Sequence, residues 1–150
     1  MTLIDRDRGY RALLERLEKA ARARLSVGIH QDEGGKDHGG ITVGDLATVH
    51  EFGTDTVPAR SFVRASADER ESENKAALRE AARDVVTGRA QTLREGLERT
   101  GEEAVRDMKE RVTAGIAPPL ADETARRKGS SVPLVDTGRL VESIAFKVED

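Results

Sequence analysis

The chain has 150 residues, 37% hydrophobic and 35% charged, with a net charge of −3 and a mean hydropathy of −0.56. That length suits one domain with a thin, mostly aliphatic core, since there is no Trp and one Tyr. The absence of Cys excludes disulfides and thiolate metal sites. The acidic balance argues against a dedicated grip on a phosphate backbone, and no segment approaches the ~20 apolar residues of a membrane span.

Tyr10, Leu13, Leu14, Leu17 and Ala21 recur at helical spacing among charged residues, which predicts an amphipathic helix from about Asp7 to Arg24. Leu25 to Ile29 alternates apolar with small or polar residues, as a half-buried strand does. Gln31 to Gly40 is rich in Gly and charge and predicts a flexible loop at about 31–40. Thr42 to Gly53 predicts a short helix. Thr42 would cap it, with Asp45 in its first turn, Leu46, Val49 and Phe52 on one face, and Gly53 as its left-handed stop. Pro58 keeps Val57 extended, so Thr54 to Ala59 reads as a stiff connector.

From Ser61 to about Thr113 the chain is helix-forming and highly charged. Gly88, Gly96 and Gly101 each weaken a helix by ~1 kcal/mol against Ala. They predict one kinked helix, or two helices broken between Thr87 and Gly101. Gly115 to Leu120 ends this region, and Ala121 to Gly129 reads as a short polar helical turn. Asp136 or Thr137 would then cap a short helix that buries Leu140 and Ile144. Ala145 to Glu149 alternates again and predicts a C-terminal strand paired with Leu25 to Ile29. The expected fold is a single α+β domain: a small antiparallel β-sheet packed with an N-terminal helix and a long charged central helix. Long charged helices of this kind often finish burying their apolar faces against neighbouring subunits, so oligomerisation is expected.

Constellations with catalytic or metal-binding chemistry are weak. His30, Asp32, Glu33 and His38 have no metal-ligand spacing, and a flexible loop preorganises ligands poorly. His50-Glu51 begins like a zincin helix, but Thr54 stands where the second His belongs. Gly34-Gly35-Lys36 lacks the order of a phosphate loop. Asp136-Thr137-Gly138 resembles an aspartic-protease triplet but precedes a helical pattern, where capping explains it better. Arg60 and Arg64 flank Phe62 and suit pairing with a neighbour's acidic face better than phosphate contact. The expectation is a protein without catalysis, cofactor or metal.

Two blocks together resemble one family. The first holds Glu51, Phe52, Gly53, Pro58, Arg60, Phe62 and Arg64, in the run Val49 to Arg64. The second runs from Pro118 to Ile144 and holds Pro119, Leu120, Thr124, Lys128, Gly129, Asp136, Thr137, Gly138 and Leu140. With a charged helix between them, they are similar to the virion morphogenesis proteins of tailed phages, which act in tail completion, the neck and head–tail joining. Many relatives carry Pro at the place of Ser61 and Ser at the place of Ala121. The block order matches the Mu-like branch of the family.

The resemblance implies a structural virion protein that assembles in the bacterial cytoplasm into a homo-oligomeric ring, commonly of six subunits. The ring would sit at the head-proximal end of the tail. Its partners would be other copies, the tail tube protein and the head–tail connector or portal-side proteins. DNA would only pass through its lumen, and no membrane is involved. The other readings are a head-side adaptor bound to the portal, and a nucleic-acid- or metal-binding module.

Overall fold

The computed structural model describes residues 9–37, 40–119, 126 and 138–149. In chain order these form α1 (Tyr10–Ala20), β1 (Arg24–Ile29), α2 (Gln31–Gly34), α3 (Val43–Phe52), α4 (Val63–Glu69), α5 (Glu71–Thr87), α6 (Arg94–Ala114), α7 (Arg139–Glu142) and β2 (Ile144–Glu149). The class is α+β. β1 and β2 make a two-stranded antiparallel sheet in which Arg24 faces Glu149 and Ile29 faces Ile144. The expected pairing of an early strand with a C-terminal one therefore holds.

α6 is the spine of the fold. It packs on both strands, on α4 and on α5. Its buried side chains Met108 and Val112 join Val43, Phe62, Leu140 and Ile144 in one cluster. Val27, Ile29 and Ala47 pack against that cluster from β1 and α3. The core is aliphatic around one phenylalanine, as the composition requires.

The glycines of the central region divide their work in a way that propensity does not foresee. Gly88 ends α5 at φ 77, a left-handed cap that costs Gly little. The chain breaks there, inside the expected window, and again at Arg70 between α4 and α5. The stretch from Ser61 to Thr113 is thus three helices rather than one or two. Gly96 and Gly101 lie inside α6 and do not break it. Each is a point of close approach. A Cβ on Gly96 would run into the Cβ of Ala81 on α5. A Cβ on Gly101 would stand 2.6 Å from the ring of Phe146 on β2 and 3.0 Å from Leu25 Cδ1.

These contacts set opposing effects against each other at Gly101. Helix propensity favours alanine by ~1 kcal/mol, whereas overpacking costs about 1–3 kcal/mol. Gly101→Ala is expected to lose about 1 kcal/mol net in urea unfolding. A gain in stability would show that the Phe146 ring yields and that helix–sheet contact does not need glycine.

Several local expectations are corrected. The first helix ends at Ala20 rather than near Arg24, because Arg24 already pairs with Glu149 in the sheet. Gln31–Gly34 is a helical turn instead of loop, with Asp32 and Glu33 at its positive end. Glu33 is salt-bridged to Lys36, and Asp32 to Lys147 of β2. Residues 38 and 39 lie outside the described residues. Thr42 caps α3 as expected, its Oγ1 accepting the Asp45 N–H.

The inner face of α3 carries Val43, Ala47 and Glu51, and the face shared by Leu46, Val49 and Phe52 is not the one that meets the core. The helix is apolar on several sides, so periodicity alone could not choose among them. The cap position of α7 is Gly138, at φ 82, and no side chain caps it. Asp136 and Thr137 lie outside the described residues.

Candidate functional site

The elbow between α3 and α4 concentrates the unusual interactions. α3 ends at Gly53, whose N–H reaches the Val49 carbonyl. Gly53 has φ 75 and ψ 178, a positive-φ extended conformation rather than the left-handed helical stop expected. Only glycine fits there, since a Cβ would lie 2.7 Å from Ala59 N and 2.9 Å from the Val57 carbonyl oxygen. The segment Thr54 to Ala59 is a tight turn and not a straight connector. Thr54 N–H donates to the Val57 carbonyl, and Thr54 Oγ1 accepts the N–H groups of Thr56 and Val57. Arg60 N–H then donates to the His50 carbonyl and returns the chain alongside α3.

Glu51 sits at the centre of this turn, 5% exposed. Its Oε2 accepts the N–H of Phe62 at 2.8 Å and of Val63 at 3.0 Å. Its Oε1 accepts the Ser61 hydroxyl at 2.7 Å, the Arg64 N–H at 3.2 Å and Arg64 Nε at 2.9 Å. The first N–H groups of α4 have no partners within their own helix. The Phe62 cap position supplies none, so a carboxylate from the preceding helix does. Burial alone would raise the Glu51 carboxyl. The Val63 N–H, the Arg64 guanidinium, the Ser61 hydroxyl and the Arg64 N–H outweigh it and lower it from 4.5 to about 2. Glu51 is therefore held as an anion that caps the start of α4.

The two arginines part company. Arg60 is 4% exposed. It donates from Nε to the Pro118 carbonyl at 2.8 Å and from Nη2 to the Pro119 carbonyl at 3.3 Å. Arg64 runs along the surface between Glu51 and Phe52, its Cζ 4.7 Å from the Phe52 ring centroid. Both side chains therefore have partners within their own chain, and Arg64 keeps most of its surface open to solvent. The phenylalanines also separate. Phe62 is fully buried in the core, whereas Phe52 is 63% exposed under its arginine.

Arg60 needs its planar fork to reach two successive carbonyls. Arg60→Lys and Arg60→Met are both expected to lose about 1–2 kcal/mol in urea unfolding. A lysine variant as stable as the parent would show that the fork is not what holds residues 118 and 119.

Beside the elbow runs a groove of about 580 Å³. β1 and its end, from Ser26 to His30, form one wall, and Ala47, Thr48 and Phe52 of α3 form the other. Glu51 and Phe62 close its floor towards the core.

Of the second block, Pro119, Gly138 and Leu140 are within the described residues. Leu120, Thr124, Lys128, Gly129, Asp136 and Thr137 lie outside them. Leu140 is in the core cluster with Phe62 and Val43. Among the described residues no three His, Asp or Glu side chains gather to hold a metal. His30 Nε2 instead meets Ser26 Oγ at 3.0 Å. The capping role of Glu51 was not legible, because its partners begin ten residues downstream and only the turn brings them back. No family model matches the chain, and no curated protein or solved structure is detectably similar to it.

Proposed function

We propose that this protein is a structural virion component of a tailed phage, forming a homo-oligomeric ring at the head-proximal end of the tail. It caps the tail tube, meets the head–tail connector and lets DNA pass. The reading carries no catalysis, metal or cofactor. One observation supports it above the rest. The buried Arg60 of the first block donates to the Pro118 and Pro119 carbonyls at the start of the second. The two blocks that carry the family resemblance, 58 residues apart, are joined at this contact.

Exposed apolar surface adds support for assembly. α1 buries none of its residues, and Tyr10, Leu14 and Leu17 remain open to solvent, as does Phe52. Such surface suits contact with further chains. The mildly acidic chain suits a lumen that DNA crosses without adhering.

Mass photometry and negative-stain microscopy of the purified protein, alone and with tail tube protein, test the reading. Rings of uniform copy number are expected. A protein that stays monomeric in both conditions would overturn it.

A further inference from the structure

The sheet has only two strands, and two strands alone are marginal in water. Among the described residues no strand pairs with the outer edge of β1 or with the outer edge of β2. Among the described residues each edge therefore presents N–H and C=O groups with no strand partner. The β1 edge is not flat against solvent. It borders the groove, and five consecutive residues, Ser26 to His30, line it. Side chains of a strand alternate between faces, so an unbroken run along the wall means that the strand's edge itself faces the groove. A smaller groove, about 430 Å³, holds Phe146 of β2 against Val105 and Lys109 of α6.

We infer that the β1 edge groove receives the β2 edge of a second copy of this chain, head to tail. Three features favour that occupant over others. The strands are six residues each, so the edges match in length. β1 and β2 are antiparallel. Placing β2 of one copy beside β1 of the next, with both copies in the same orientation, continues the same antiparallel alternation through the contact. A symmetric β1–β1 pairing would leave both β2 edges open, whereas the head-to-tail contact covers both kinds of edge in every copy. Heterologous contacts of this kind close into rings when the rotation between successive copies closes. The added strand would lie roughly 4.8 Å from β1, with its side chains against Ala47, Thr48 and Phe52. This inference rests on the ring reading above and supplies its contact.

The chain contains no cysteine, which makes cross-linking clean. Ser26→Cys and Lys147→Cys are exposed positions on β1 and β2. The two single variants are co-expressed, purified as assemblies and joined with a short bis-maleimide. Cross-linked peptides are read by mass spectrometry, and ring formation by mass photometry. The expected result is rings in which 26–147 links between copies dominate over 26–26 and 147–147 links. Rings dominated by like–like links, or rings with no 26–147 link, would overturn the edge pairing and leave the ring reading standing. Monomers alone would overturn both.

Thr48→Trp fills the groove from an exposed position on α3. It is expected to give monomers with an unchanged circular dichroism spectrum and urea midpoint. Intact Thr48→Trp rings would show that the groove is not the contact and that any extended segment it binds comes from another protein.

Discussion

Replacing Glu51 by alanine is expected to cost about 3–5 kcal/mol of folding stability. The substitution strands the buried N–H of Phe62 and the half-buried N–H of Val63 and removes the partner of Arg64 Nε. The same carboxylate makes stability depend on pH. Its folded pKa of about 2 lies below the unfolded value of 4.5. Between those values the unfolded chain binds more protons, so stability rises with pH across that window. The contribution, roughly 3 kcal/mol, is complete above about pH 4.5 and is lost as the pH falls towards 2. Urea unfolding of the parent and of Glu51→Gln between about pH 6 and about pH 3 checks this. The parent should lose stability faster than the variant on acidification. Equal slopes would mean that Glu51 is not the group responsible.

Phe62→Ala is expected to cost about 3–5 kcal/mol, the loss typical of a large aromatic removed from a packed core. Phe62 has no exposed surface and touches elements that are remote in sequence, because its cluster joins Val43, Met108, Val112, Leu140 and Ile144. Its removal would loosen α3, α4, α6 and α7 together. Phe62→Leu refills most of the volume and should cost about half as much. Urea midpoints of the three proteins give the comparison. An alanine variant within about 0.5 kcal/mol of the parent would be a surface-like response, inconsistent with this residue as the centre of the core. In the ring reading both substitutions act on assembly through folding, since the side chain is internal. Phe52→Ala, at an exposed position, should spare folding.

The elbow illustrates how far local reasoning reaches. Gly53 and the Glu-Phe-Gly run mark a helix end from sequence, and the helix does end there. Its conformation is nonetheless set by Val57 and Ala59 folding back against it, a contact that no local preference encodes. Arg60 and Arg64 look alike four residues apart. One is buried on proline carbonyls 58 residues away and the other is stacked on Phe52 of α3, a difference set by which segments fold against each side of the turn. In sequence, His50-Glu51 reads as half of a metal motif. The actual role of Glu51 emerges only when the turn delivers the start of α4 to it.

Much of the secondary structure followed from the sequence by itself: the class, the strand pair, the Thr42 cap, and a break between Thr87 and Gly101. Hydrophobic period, capping chemistry and glycine's freedom at positive φ act within a few residues and can be read in order along the chain. The tertiary structure decided the rest. It chose which face of α3 turns inward, made Gly96 and Gly101 points of close packing instead of breaks, and converted Glu51 into the cap of another helix. Those outcomes depend on which surfaces meet across the chain, from about 10 residues at the Glu51 cap to about 100 in the cluster that joins Val43 to Ile144. Burial and hydrogen-bond satisfaction act on the assembled molecule, and they override helix propensities of ~1 kcal/mol wherever the two conflict.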